Sequence, residues 1–360
     1  MKTIIKYVLL VLLAGVGVSA FFLPMFDGMF LAIVMFALGL VMVIKGGDVF
    51  VDGATSIAKA LHIPTFIIGA TIVSLATTLP ETMVSCFAVK PDETQMAIGN
   101  AIGSVTANTA IIMAIAMLAM NITAKRKDYA FQIITLIVST IVLLLFSLSG
   151  KLTIVGCIVL ALILATFMTY NVVSGNKQAK ELKELAKADG EKAEEEKVDK
   201  KFFLYNIFLF IVGAAGMAGG SRFMVNYGSA IATSMGVSEG IIGFTIVAIG
   251  TSLPELVTTI TAIIKKESSL SIGNIVGANI IDITLILPLC SLVSGQLLTI
   301  NATNIYLDFP VCILVTLIAT LPILIRQKAS KLQGGILITI YLAYLTVLIL
   351  NELNVISLAF

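Results

Sequence analysis

The sequence predicts an all-α polytopic membrane protein: about ten core transmembrane helices arranged as two inverted five-helix repeats, plus one extra N-terminal segment. Three observations carry this. Hydrophobic residues make up 58% of the 360 and charged residues only 12%, a balance that excludes an ordinary soluble domain. Apolar runs of bilayer-crossing length recur from end to end. The chain also aligns with itself at an offset of 174 residues, GATIVSLATTLPETMVS at 69–85 lying on GFTIVAIGTSLPELVTT at 243–259 with eight of seventeen positions identical.

Taken in order, the apolar runs fall at about 7–24, 29–60, 65–88, 96–121, 129–149, 152–173, 203–235, 239–264, 270–296, 303–325 and 334–351. The first follows Lys2 and Lys6 and is either a retained helix or a secretory signal cleaved after the small residues Val18, Ser19 and Ala20. Both readings place residues 25–28 outside and leave the other ten segments oriented alike. The basic residues agree, because the predicted inner positions carry Lys59, Lys125 to Lys127, the lysines of 174–201, Lys265, Lys266, Arg326, Lys328 and Lys331, whereas the outer loops hold only Lys90 and Lys151. The localisation that follows is the cell inner (plasma) membrane, multi-pass, with the lipid bilayer as the obligatory partner. The net charge of +2 implies no nucleic-acid partner, and oligomeric state leaves no mark on the sequence.

The chain divides into 1–28, a first repeat at 29–173, a linker at 174–201 and a second repeat at 202–360. The linker has eight Lys against eight Asp and Glu with almost nothing apolar, so it reads as a cytoplasmic loop, partly helical at best. Five crossings separate equivalent stretches, so the second half enters the membrane from the opposite side. Inverted repeats with Gly- and Pro-interrupted helices in matching places point to a transporter whose site lies near the midplane between the halves. Segments 29–60 and 203–235 are too long for one upright crossing, since about 32 residues at 1.5 Å each span roughly 48 Å against a hydrocarbon core near 30 Å. Each carries a glycine pair, Gly46-Gly47 and Gly219-Gly220, followed by polar residues: Asp48 and Asp52 in one, beside Lys45, and Arg222 and Asn226 in the other. Those charges mark either the interface-level end of a helix or a sliding and hinging element.

The chemistry concentrates in two boxes. Each presents Thr-Thr/Ser-Leu-Pro-Glu inside an apolar run, and a carboxylate at that depth is costly enough to require a function. The proline removes a backbone donor and frees carbonyls of the preceding turn, read here as those of Thr77 and Thr251, which the membrane tolerates only where backbone is buried in protein or lines a polar cavity. With the hydroxyls of Thr77, Thr78, Thr251 and Ser252 and the carboxylates of Glu81 and Glu255, they make an all-oxygen set. Hard cations such as Ca²⁺ take about 6 to 8 such ligands, so the set points to Ca²⁺ or Na⁺ and away from zinc or copper. The lone His62 lies in a loop, and Cys86, Cys157, Cys290 and Cys312 are spaced as buried small hydrophobes, with no thiolate site, disulfide framework or cofactor implied. A second repeated motif follows each box, IGNAIGSVTAN at 98–108 and IGNIVGANIID at 272–282, pairing Asn100 with Asn274 and Asn108 with the intramembrane acid Asp282. Its glycines allow close helix packing.

These two boxes with their following motifs resemble the alpha-1 and alpha-2 repeats of the calcium/cation antiporter superfamily, in its sodium/calcium exchanger branch, over nearly the whole chain from about residue 29. The resemblance implies that Glu81 and Glu255 are the central calcium ligands, with backbone oxygens from Thr77 and Thr251. It implies further that Thr78, Ser252 and Ser104 line flanking sodium sites, that Asn108 and Asp282 sit mid-site, and that the first helix of each half slides past a fixed bundle during electrogenic exchange. Three positions depart from the family pattern: Ala76 stands where the second box has Gly250, Thr78 replaces the usual serine, and Ala278 lacks the hydroxyl that would match Ser104. The loss at Ala278 removes one candidate sodium ligand, which puts a three-sodium stoichiometry in doubt.

The function expected is thus a sodium/calcium antiporter, not an enzyme, that exports Ca²⁺ by alternating access. The same fold coupled to H⁺, or dependent on K⁺ through the acid at 282, is the alternative. An intramembrane hydrolase using Glu81 and Glu255 as an acid pair would leave the matched inverted boxes unexplained. Charge counting adds a constraint: three Na⁺ would neutralise Glu81, Glu255 and Asp282, whereas one Ca²⁺ neutralises two and leaves Asp282 protonated.

Overall fold

The structure, a computed structural model, describes residues 28–88, 95–120, 126–188, 200–236 and 248–353 together with a few isolated positions. The expected first segment at 7–24, the core of the linker and residues 239–247 fall almost wholly outside them. Eight helices among the described residues are long and apolar enough to cross a membrane. Two shorter, interrupted apolar stretches complete the ten crossings expected from the sequence.

The first crossing, α1, is Met29–Leu61, one unbroken helix of 33 residues that ends where His62 turns left-handed ahead of Pro64. Crossing α2 is broken: Thr65–Ile68, a π turn at Gly69–Val73, Ser74–Thr77, then Leu79–Ala88 after a bend at Thr78. Crossing α3 runs Gln95–Ala107, widens into a π turn at Asn108–Ile112, and finishes as Met113–Ala119. Helix α4 is Arg126–Ser147 and α5 is Ile154–Ala188. Helix α5 therefore runs through the first half of the charged stretch read as a linker, the lysines and glutamates of 177–188 being good helix formers whatever their solvation.

The second half repeats the pattern. Helix α6 is Lys200–Ser234, and α7 comprises Ala248–Thr251 and Leu253–Ile264, broken at Ser252. Crossing α8 is Ser268–Ile281, a π turn at Asp282–Ile286, then Leu287–Ser294. Crossing α9 is a π turn at Asn304–Asp308 leading into Phe309–Arg326. Helix α10 is Lys331–Glu352, opened by a capping box in which Ser330 and Gln333 satisfy each other's backbone N–H groups.

The loop contacts show the inversion directly. The α4–α5 loop pairs with the α8–α9 loop, Leu152 N–H donating to the Leu298 carbonyl and Ile300 N–H to the Gly150 carbonyl, both at 2.9 Å. On the other face Ile122, between α3 and α4, accepts from Ala329, between α9 and α10, at 3.1 Å. The α3–α4 and α8–α9 loops are equivalent by the 174-residue offset, yet they lie on opposite faces.

The main apolar core joins α3, α4, α8, α9 and α10 with parts of α2 and α5. Helices α1 and α6 pack lengthwise on each other and form a separate pair laid against that bundle. Their seam is made of glycines seven residues apart, Gly39, Gly46 and Gly53 on α1 against Gly213 and Gly220 on α6. A Cβ added at Gly46 would stand 2.8 Å from the Met217 backbone nitrogen, and one at Gly53 would stand 2.7 Å from that of Phe210. Small residues at every second turn bring the two backbones together where lipid supplies no hydrophobic drive for association. Sequence reasoning finds only the pairs; the structure turns Gly46 to α6 and Gly47 under Val257 of α7.

The charges after the first glycine pair tie α1 to the end of α7. Lys265 Nζ lies 3.0 Å from an Asp52 carboxylate oxygen and donates to the Asp48 backbone carbonyl at 2.6 Å, while Lys59 approaches Glu267 at 3.7 Å. Asp48 and Asp52 are 48% and 62% exposed, which fits a water-facing level and holds each pair to about 0–1 kcal/mol.

Candidate ion-binding site

The two boxes bring their acids to the same depth by the same device. A helix entering the membrane stops at Thr77 or Thr251, bends for one residue, and restarts with the proline in its first turn, where a missing N–H costs nothing. Glu81 and Glu255 therefore sit in the first turn of a new helix, where the helix dipole favours an anion. Sequence reasoning puts the freed carbonyls at Thr77 and Thr251. By the i to i+4 pattern the prolines also withdraw the donors of the Ala76 and Gly250 carbonyls, one residue before Thr77 and Thr251, and in the second half the Ser221 hydroxyl of α6 donates to the Gly250 carbonyl. The latter contact fastens the long helix to the break.

All nine residues expected at the site, Thr77, Thr78, Glu81, Ser104, Asn108, Thr251, Ser252, Glu255 and Asp282, are buried. Some of them meet. Glu81 Oε1 accepts from Ser252 Oγ at 3.0 Å and from Ser104 Oγ at 3.3 Å, and the two hydroxyls lie 3.5 Å apart, so this cluster joins both halves. Thr77 Oγ1 donates to Asn274 Oδ1 at 3.2 Å, again across the halves. Thr78 does not join them, since its hydroxyl donates back to the Ser74 carbonyl at 2.9 Å.

Asn108 and Asp282 each begin a π turn, in register at the 174-residue offset. The wide turn breaks the regular ladder where the side chain enters the bundle, a distortion frequent at functional sites. It has no sequence period and so left no mark that the sequence reading could use. The neighbouring Asn279 donates to Thr109 at 2.8 Å and holds the two π-turn crossings together.

The unmet atoms define what the site can do. Glu81 Oε2, both oxygens of Glu255, both of Asp282 and both polar atoms of Asn108 are buried without a hydrogen-bond partner. The three carboxyls are near enough to repel one another, and none of the ion pairs among the described residues involves them. Buried anions with no protein countercharge cost several kcal/mol unless cations or protons balance them. The acids do not close around one ion unaided: among the described residues no group of three or more His, Cys, Asp or Glu is gathered so as to hold a metal. Hydroxyl, amide and carbonyl oxygens must complete any coordination shell, which suits a hard cation and excludes a thiolate or imidazole centre.

Comparison with known proteins agrees with this chemistry. A family model described as sodium/calcium exchanger protein matches residues 31–173 and 205–350, the two repeats without the linker. The sodium/calcium exchanger MaX1 of Methanosarcina acetivorans is 28% identical over 345 residues, covering 86% of this chain and 96% of that protein. The inner membrane protein YrbG of Escherichia coli is 30% identical over 326 residues, covering 86% of this chain and 94% of its own length. A solved structure of the sodium-calcium exchanger NCX_Mj superimposes with a TM-score of 0.76 at 26% identity, over 89% of this chain and 99% of that one.

Proposed function

The chain belongs to the sodium/calcium exchanger family and is a multi-pass membrane antiporter for calcium and other cations, not an enzyme; from that premise we propose that it exchanges Na⁺ for Ca²⁺ by alternating access and exports Ca²⁺ across the cell inner membrane. The observation that carries the reading is the set of unpartnered carboxylate oxygens on Glu81, Glu255 and Asp282, buried where the two halves meet.

In this reading Ca²⁺ lies between Glu81 and Glu255, with backbone oxygens of Thr77 and Thr251 completing its shell. Sodium ions use the hydroxyls of Ser104 and Ser252 with Asn108 and Asp282, and Thr78, whose hydroxyl proton goes to the Ser74 carbonyl, offers only an oxygen lone pair at the margin. Each cargo neutralises the same carboxylates, so the two compete for one set of charges and the empty site is the costly state. That competition is the physical basis of exchange: the protein crosses between access states when loaded and resists crossing when its acids are bare. Asp282 carries a proton while Ca²⁺ is bound, because one divalent ion balances only two of three carboxylates. An ionised Asp282 in the infrared spectrum of the calcium-loaded protein would contradict this.

Helices α1 and α6 supply the largest movement, a glycine-seamed pair laid on the bundle that carries the acids. The test is radioactive Ca²⁺ uptake into sodium-loaded proteoliposomes. Uptake that follows the outward sodium gradient supports the reading, and uptake driven equally well by a pH gradient without sodium overturns it in favour of proton coupling.

A further inference from the structure

One hydrogen bond is made in the first half and missing from the second. Asn100 Nδ2, on α3, donates to Ser85 Oγ, on α2, at 2.8 Å. The 174-residue offset maps Asn100 onto Asn274 and Ser85 onto Thr259. These two equivalents lie on the packed helices α8 and α7, both fully buried, and Asn274 Nδ2 and Thr259 Oγ1 are both without a partner. A donor and an acceptor that are bonded in one repeat are thus both orphaned in the other. Asn274 is otherwise engaged, since its Oδ1 accepts from Thr77 Oγ1 at 3.2 Å.

An inverted repeat gives this asymmetry a meaning. In such transporters one repeat or bundle moves against the other around a fixed site, and because the two halves are inverted copies, the conformation that one half holds in one access state is open to the other half in the opposite state. A bond present in one half only is therefore replaced, in the opposite state, by its equivalent in the other half. Leaving a buried donor and a buried hydroxyl unsatisfied is costly, and the cost is relieved when the second half adopts the geometry now seen in the first.

We propose that Ser85 and Thr259 are positioning residues of the transport cycle: the Asn100 to Ser85 bond belongs to the access state seen here, and an Asn274 to Thr259 bond replaces it when the site opens to the other side. This rests on the alternating-access reading above. By the same exchange Thr77 releases Asn274, and Thr251, its equivalent, donates to Asn100. Because Thr77 is buried and its backbone oxygen belongs to the calcium shell proposed above, the exchange of partners reaches the ion site. Neither Ser85 nor Thr259 touches the cargo. They set the balance between states, and the difference between them is that each supports a different state.

The experiment compares Ser85→Ala, Thr259→Val and the double variant by hydrogen–deuterium exchange, using the full chain in lipid nanodiscs without Ca²⁺. The readout is the ratio of uptake at the outer and inner ends of α2 and α7. The two single variants are expected to shift the state ratio in opposite directions, each by about fivefold for one lost hydrogen bond. The double variant returns towards the unmodified ratio, and Thr259→Ser, which keeps the hydroxyl, leaves it unchanged. If Thr259→Val does not fold, Thr259→Ala carries the same expectation. Shifts in the same direction, or no shift from either, overturn the proposal. The readout uses no flux, so failure of sodium coupling in the unmodified protein is a separate result.

Discussion

Glu81 accepts hydrogen bonds from Ser104 and Ser252, whereas Glu255, its counterpart in the other half, accepts none. The backbone does not cause the difference, because both acids follow the same break and the same proline. Two side chains do. The residue matching Ser104 is Ala278, which has no hydroxyl, and the residue matching Ser252 is Thr78, whose hydroxyl donates to the Ser74 carbonyl. One repeat thus has a carboxylate partly satisfied by the protein, and the other has a carboxylate that must take its partner from the cargo. A duplicated site need not be a symmetric one, and the residue left bare is the one expected to bind most of the cation's charge.

The largest effect that would sharpen this comparison is expected from the acids themselves. Glu255→Gln should lower sodium-driven Ca²⁺ uptake at least about 100-fold, the scale of losing one partner of a buried charge pair. Glu81→Gln should also impair uptake, but about tenfold less, because Ser104 and Ser252 can still donate to an amide oxygen, as hydrogen bonds worth about 1 kcal/mol each allow. Equal losses would break the asymmetry.

Next in size, Ser104→Ala strips a donor from Glu81 and makes the first half resemble the second. Sodium half-saturation should rise about tenfold, the loss expected for a hydrogen bond to a charged group, and an unchanged sodium dependence would remove Ser104 from the site. The converse change, Ala278→Ser, gives Glu255 the missing hydroxyl. It should steepen the sodium dependence of uptake and lower half-saturation by about threefold to tenfold, within the range of one added hydrogen bond; a flat response would show that position 278 does not face the sodium site. The smallest effect is expected from Thr78→Val, which keeps the shape and removes a hydroxyl already committed to backbone. A change of about threefold or less in either ion's half-saturation is expected, since its bond competes with an ordinary helix contact.

Much of this was legible in the sequence because the repeat is written in residue types. The Pro-Glu boxes, the acid at 282 and the inverted topology all follow from one self-alignment and a count of crossings, and the missing hydroxyl at Ala278 follows from the resemblance to the exchanger repeats. The breaks at Thr78 and Ser252 follow from proline chemistry. Four features escaped for physical reasons. The π turns at Asn108 and Asp282 add one residue to a turn without altering the apolar pattern. The glycine seam is half legible: the pairs at 46–47 and 219–220 stand out in the sequence, but the seven-residue spacing through Gly39, Gly46 and Gly53, and through Gly213 and Gly220, is the signal that identifies a helix pair. The Ser221 contact with Gly250 joins two positions that no repeat relates, and Ser85 and Thr259 are ordinary small residues until their partners are seen.

The account turns on Glu255 being the bare half of the pair, and equilibrium binding of radioactive Ca²⁺ to the purified chain tests this most directly. The unmodified protein should bind Ca²⁺ and release it to Na⁺, Glu81→Gln should bind more weakly, and Glu255→Gln should show no saturable binding. Retention by Glu255→Gln of the affinity of the unmodified protein would contradict the account.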